Sequence, residues 1–208
     1  MSWRLRSPTY LRAAYPLNNH AQDVSGYGNH GTWAGTTAYA AFLKNSLSAG
    51  DFNGANSYVE LPFVAGSHMN GQTAFSIAFW FLADALQGTL FNFRDGIGDG
   101  ITIDHLDAVA FRVNAVVSSS PSIPIGTWTH VVAVKRAAGT QALYINGILV
   151  DTDDSSAEVI AVAANPRIGI DYDLSGDLNG RIAGVRLYAC SLTGDEVLTL
   201  YHMPQPTY

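Results

Sequence analysis

Gln141-Ala-Leu-Tyr-Ile145-Asn-Gly147-Ile-Leu-Val-Asp151 decides how the rest of this chain is read. Two runs of β-favouring residues flank Asn146-Gly147, and Asn-Gly is the pair that tolerates positive φ at both central positions of a two-residue hairpin turn. Three further Asn-Gly pairs, at 53–54, 70–71 and 179–180, mark other turns. Between such signals lie short segments rich in Val, Ile, Thr and aromatics: Leu11–Leu17, Ser57–Leu61, Phe75–Leu82, Thr89–Phe93, Gly100–Asp104, Ala108–Val113, Thr129–Lys135, Arg167–Ile170 and Gly180–Tyr188. Turn signals spaced by roughly 8–12 residues predict a sandwich or a barrel.

Several of these strands are apolar on both faces. In Phe75-Ser-Ile-Ala-Phe-Trp-Phe81 the odd positions are all large, and the even ones include Ala78 and Trp80. A sheet with one wet face alternates more cleanly, so loops or another chain must cover the second face. Trp80 and Trp128 are expected as core residues bridging two sheets. One helix is expected near the end, over Ser191–Tyr201. Thr193 as N-cap with Glu196 three residues on makes a capping box, and Asp195 complements the helix dipole.

The composition narrows the function classes. Of the 208 residues, 48% are apolar and 13% charged, against about 25% charged in an ordinary globular chain. A net charge of −6 argues against broad phosphate neutralisation, so nucleic acid is not expected as a partner. No apolar stretch is long enough for membrane insertion. Cys190 is the only cysteine, which excludes an internal disulfide framework and a multi-cysteine zinc site. The histidines lack zinc-ligand spacing, and Asp95–Gly100 reads as a hairpin connection. Asp151, Asp153 and Asp154 read as a solvated loop. The chain divides into a basic, aromatic arm over 1–9, one domain over 10–203 and a Pro-rich tail over 204–208. Trp3, Arg4, Arg6, Tyr10 and Arg12 form a candidate docking segment. The N-terminal residues carry no uninterrupted apolar run of the secretory kind, which predicts synthesis and folding in a cytoplasm.

Five stretches carry a family resemblance: Tyr15–Thr32 with its Asp23-Val-Ser-Gly-Tyr-Gly-Asn-His-Gly31 loop, Phe52–Pro62, Phe75–Trp80, Trp128–Val134 with the hairpin to Asp151, and Gly180–Tyr188 leading into Leu192–Val197. In this order they resemble a laminin-G-like, concanavalin A-like lectin/glucanase jelly roll. The resemblance implies an all-β fold of two antiparallel sheets with one short C-terminal helix. Its glucanase branch uses a Glu-x-Asp-x-x-Glu strand, whereas Glu60, Glu158 and Glu196 stand far apart here, so no enzyme is expected. Family members that bind calcium use the Asp-x-Ser-Gly loop, which would make Asp23 a ligand with Asn29 and His30 as carbonyl donors. Ala183-Gly184 stand where the late strand usually adds an acid pair, and a structural Asx turn at Asp23 is the competing reading. Lectin-like relatives hold sugars with rim aromatics, for which Tyr27, Trp33, Tyr39 and Tyr172 are the glycan-contact candidates.

Two functions follow as expectations. The first is a non-catalytic interaction protein on a phage virion surface, a capsid decoration or tail component, assembling with itself or the virion through its arm or its apolar faces. The second is a carbohydrate-binding module with a calcium-stabilised loop. A virion protein that grips host glycans would combine them.

Overall fold

The computed structural model describes residues 9–41, 48–62, 71–96, 99–154 and 164–203. Trp3, Arg4 and Arg6 of the arm and the whole of the tail lie outside the described residues. In chain order the elements are β1 (Leu11–Tyr15), β2 (Thr32–Ala34), β3 (Tyr39–Ala41), β4 (Ser48–Asn53), β5 (Tyr58–Glu60), β6 (Phe75–Ala83), β7 (Thr89–Gly96), β8 (Asp99–Leu106), β9 (Ala108–Val113), β10 (Val116–Ser122), β11 (Thr129–Arg136), β12 (Thr140–Ile145), β13 (Ile148–Asp154), β14 (Arg167–Ile168), β15 (Asn179–Tyr188) and α1 (Gly194–His202). They form two antiparallel sheets. One runs β13-β12-β11-β6-β15-β4-β3, with β1 also paired to β15, and the other runs β10-β9-β8-β7-β14-β5-β2.

The sheets meet across a core that period-two alternation supplies. Phe75, Ile77, Phe79 and Phe81 of β6 point inward to meet Phe91 and Phe93 of β7, Ile101 and Ile103 of β8 and Phe111 of β9, all essentially inaccessible. Asn146 and Gly147 both adopt positive φ (50° and 81°), so the hairpin read from sequence is present as expected. Asn70 of the 70–71 pair lies outside the described residues, and the two remaining Asn-Gly pairs differ. Asn53-Gly54 opens the longer β4–β5 connection, where the Asn53 carboxamide oxygen accepts the N–H groups of Ala55, Asn56 and Ser57. Asn179-Gly180 begins β15, and glycine is required there because a Cβ at Gly180 would lie 2.3 Å from the Leu82 carbonyl oxygen across the β6–β15 pair.

Trp80 corrects the sequence expectation. It is buried, but it belongs to the even-numbered face of β6, on the outside of the eight-stranded sheet, and bridges no sheets. There it packs with Ala49, Ala183, half-buried Trp128 and Tyr201. Its ring stacks on Tyr201 of α1 at 5.6 Å and lies 5.0 Å from His130. Beside this cluster, Ala78, Val132, Val134 and Tyr144 are covered by Leu192, Val197 and Leu200. The chain's own helix thus roofs the second apolar face. The apolar outer face of β6 is therefore covered by the chain itself, while Ile148 and Leu149 of β13 stay exposed. The helix is held by the expected capping box. Thr193 accepts the Glu196 N–H, and the Glu196 carboxylate accepts the Thr193 N–H at 2.9 Å.

At the opposite margin the sheets are clasped. The acidic residues after the hairpin form part of β13, not a solvated loop. The Ser118 hydroxyl donates to Asp153 at 2.8 Å and the Ser119 N–H to Asp151 at 2.7 Å, tying β10 of one sheet to β13 of the other. Fully buried Gln141 adds its amide hydrogens to the Phe111 carbonyl and the Ser118 hydroxyl.

Candidate functional site

The residues read as a metal loop do come together, as a hydrogen-bonded staple. Asp23 is 6% exposed, and its carboxylate accepts four donors. Oδ1 takes the N–H groups of Ala14 and Ser25, both at 2.9 Å, and Oδ2 takes the Ser25 hydroxyl at 2.8 Å and the Asn29 N–H at 3.0 Å. The Asn29 carbonyl, a candidate ligand, accepts the Tyr15 hydroxyl at 2.6 Å, and His30 Nδ1 accepts the Asp23 N–H at 3.2 Å. Burial, with the nearby Asp23 charge, pushes the Tyr15 phenol well above its ordinary range and keeps it a donor. A calcium ion needs six to eight oxygens, and here it would have to displace protein donors from every lone-pair direction of Asp23. No group of three or more His, Cys, Asp or Glu side chains placed to hold a metal ion occurs among the described residues.

The four aromatic candidates occupy three different places. Trp33 and Tyr39 meet edge to face at 5.7 Å, and Trp33 also packs on Phe52 at 5.1 Å. They stopper the sandwich where β2 ends one sheet and β3 ends the other. Tyr27, half exposed, accepts a hydrogen bond from Arg12 at 3.2 Å, with the guanidinium 5.5 Å from the ring centre. Arg12 and Tyr10 of the expected docking segment therefore belong to the folded body, with Tyr10 exposed. Tyr172 stands apart, beneath the Arg94 guanidinium at 5.0 Å.

Tyr172 lies beside a cleft of about 400 Å³, within the size range of small-ligand sites. Four connections build it: the β4–β5 loop with Gly54, the β6–β7 loop with Gln87 and Gly88, the end of β8 with Asp104 and Leu106, and the β14–β15 loop with Asp171, Gly176 and Asp177. Backbone bonds lock them together. The Thr89 N–H donates to the Gly176 carbonyl at 2.8 Å and the His105 N–H to the Gly88 carbonyl at 2.9 Å. Gly88 is required here, because its φ is +143° and a Cβ would lie 2.7 Å from the Leu178 Cα. Exposed Leu86, Leu106 and Leu174 sit on three of these connections, giving apolar surface around a polar interior.

Charge inside the cleft is unevenly compensated. Arg94 clamps Asp171, Nε donating to Oδ1 at 2.9 Å and Nη2 to Oδ2. Asp104 Oδ1 accepts the Thr89 hydroxyl at 2.9 Å, and Oδ2 lies 3.5 Å from Arg112 Nε. Asp177 Oδ1 is buried and accepts no hydrogen bond. Burial pushes the Asp104 carboxyl above the usual carboxylate range, against the opposing pull of Thr89, Arg112 and Arg94. The folded protein then holds this proton more tightly than the unfolded chain. The stability tied to Asp104 is full below about pH 4 and is lost as pH rises through its folded value. Asp104→Asn is therefore expected to raise the melting temperature at about pH 7 and leave it unchanged at about pH 3. A fall at both pH values would contradict the burial argument.

Sequence reasoning missed this cleft, although the acid-rich Asp171-Tyr-Asp-Leu-Ser-Gly-Asp177 run carried a signal. The described part of the Asp95–Gly100 hairpin, by contrast, joins β7 to β8 as expected, with Gly96 opposite Asp99.

Comparison with known proteins places this arrangement. The family model of the concanavalin A-like lectin/glucanases superfamily matches residues 53–198. No curated protein sequence matches. Among solved structures, the chain resembles domain 4 of AbnA, a GH43 extracellular arabinanase from Geobacillus stearothermophilus, in complex with arabinotriose. That likeness has a TM-score of 0.71 and 22% identity, covering 93% of this chain and 98% of that one. It also resembles the binding domain of Paraclostridial Mosquitocidal Protein 1, with a TM-score of 0.76 and 17% identity over 93% of this chain and 52% of that one. A third likeness is to botulinum neurotoxin type C, a toxin described as dependent on two ganglioside molecules to enter cells, with a TM-score of 0.73 and 18% identity over 96% of this chain and 52% of that one. The chain thus spans about half the length of the two toxin chains.

Proposed function

The chain belongs to the concanavalin A-like lectin/glucanases superfamily, and we propose that within it this protein is a non-catalytic glycan-binding module whose ligand occupies the cleft between the β6–β7 and β14–β15 loops. The observation that carries the reading is the cleft itself. Hydroxyl-accepting carboxylates and a carboxamide line a concavity whose loops also bear exposed leucines and Tyr172, and oligosaccharides present both hydroxyl edges and apolar ring faces. The arabinotriose complex of the AbnA domain and the ganglioside dependence of the neurotoxin support the class of ligand.

The cleft also contains the one feature that would favour hydrolysis, a carboxyl with a raised pKa near other carboxylates. Two facts weigh against that role. Both oxygens of Asp104 already face protein partners, and Asp171 is tied to Arg94 at two points. Docking on a virion keeps the basic arm as its support, since α1 fills the apolar face that was its other ground.

Titration with neutral oligosaccharides, arabinotriose included, is expected to shift the backbone amide resonances of residues 86–89, 104–106 and 171–178 and to release no reducing sugar. Unmoved resonances at millimolar sugar would overturn the glycan reading, and new reducing ends would overturn the non-catalytic one.

A further inference from the structure

The exposed surface differs between the two ends of the sandwich. At one end Leu86, Leu106, Ile125 and Leu174 are each at least half exposed, on four separate connections. Backbone bonds gather these connections. The Ile123 N–H donates to the Asp107 carbonyl at 2.6 Å and the Gly126 N–H to the Ala83 carbonyl at 2.8 Å, alongside the His105–Gly88 and Thr89–Gly176 bonds. Leu106 and Leu174 each adjoin an exposed aspartate, Asp107 and Asp173, that makes no ion pair among the described residues. Leu174 is held at φ +62°, a left-handed backbone unfavourable to leucine. The isolated molecule gains no packing from that side chain, and clustered exposed aliphatics mark an interaction surface.

The opposite end is aromatic and basic. Tyr10 and Tyr27 are exposed, and the Arg12 guanidinium, 5.5 Å from the Tyr27 ring centre, has no carboxylate partner among the described residues. One molecule cannot join its own two ends. Leu11 pairs with Tyr188 at the far end of β15, the leucine-bearing β14–β15 loop enters that strand at Asn179, and the strand between them spans about 30 Å. We propose that the partner is a second copy of this chain, with the Tyr10–Arg12–Tyr27 end of one molecule seated on the leucine-tipped, acidic loops of the next. Such a head-to-tail contact leaves one free surface at each end and so adds further copies. The inference goes beyond the glycan reading and does not depend on it.

Sedimentation velocity tests it. The weight-average mass of the wild-type chain is expected to rise between about 10 μM and about 1 mM, the range for a small interface, and to fall back with added salt. Two double variants, Leu106→Ser with Leu174→Asn and Tyr10→Ser with Arg12→Glu, are each expected to be monomeric alone. Mixed, they are expected to form a one-to-one dimer, because each keeps the surface the other has lost. Asparagine tolerates the left-handed backbone, so the first variant is expected to melt no earlier than wild type. Arg12→Glu alone repeats the test should the second melt early. Ile148→Ser, which removes an exposed aliphatic side chain from β13, is expected to assemble like wild type. A wild-type chain that stays monomeric, association indifferent to salt, either double variant growing alone, variants that stay apart when mixed, or assembly lost equally in Ile148→Ser overturns head-to-tail docking. No sugar enters these measurements, so any of those results leaves the glycan reading standing.

Discussion

Trp80→Ala is expected to destabilise the protein by about 3–5 kcal/mol, the range for truncating a buried large aromatic. The indole fills the space between the outer face of β6 and α1, stacked on Tyr201 and flanked by His130. Removing it opens a cavity exactly where the helix is anchored, and neighbouring Ala49 and Ala183 are too small to refill it. Tyr201→Ala is expected to cost less, because the half-exposed tyrosine keeps part of its surface in water. The double variant should fall short of the sum, since the two rings share one contact. Denaturant titration of the three variants gives these values, with a shifted midpoint and a near-constant slope if the helix unfolds with the sheets. A loss under about 1 kcal/mol for Trp80→Ala would mean that α1 contributes little to the cooperative fold.

The second large effect belongs to Asp23. Asp23→Ala strips the acceptor from four donors at once, three of them backbone N–H groups of Ala14, Ser25 and Asn29. Bonds to a charged acceptor contribute about 1.5–3 kcal/mol each, and buried donors left unmet add their own penalty. Relaxation and water recover part of this, so a net loss of about 3–4 kcal/mol is expected. Asp23→Asn keeps one oxygen and turns an amide toward the donors of the other, and falls between. Millimolar calcium is expected to leave the wild-type melting temperature unchanged, because the hydrogen bonds already supply what the carboxylate needs. A calcium-dependent rise abolished in Asp23→Ala would restore the metal reading.

Local devices were legible in the amino-acid order and assembled ones were not. The Asn146-Gly147 turn and the Thr193–Glu196 capping box each depend on residues a few positions apart, so their chemistry shows without knowledge of the fold. The strands passed over are short or polar. β2 and β3 have three residues each, and Ser-rich β10 holds its place through Gln141, Asp151 and Asp153 of the other sheet. The same bonds explain why an acidic run read as loop is a strand. Period two showed that both faces of β6 were apolar, yet it carried no information about which face would meet the second sheet and which the helix. The cleft was hidden for a related reason. Asp104 and Asp177 are far apart in the chain, and only the pairing of β7 with β8 and β14 sets them around one space.

The position of β15 has a consequence for biosynthesis. This penultimate element bonds to β6, β4 and β1, and α1 closes over the seam straight afterwards. During translation, Trp80 and the rest of that surface must therefore wait, uncovered, until β15 and α1 have also been made. Until then the unpaired edges and bare apolar face of β6 are a route to aggregation in the nascent polypeptide.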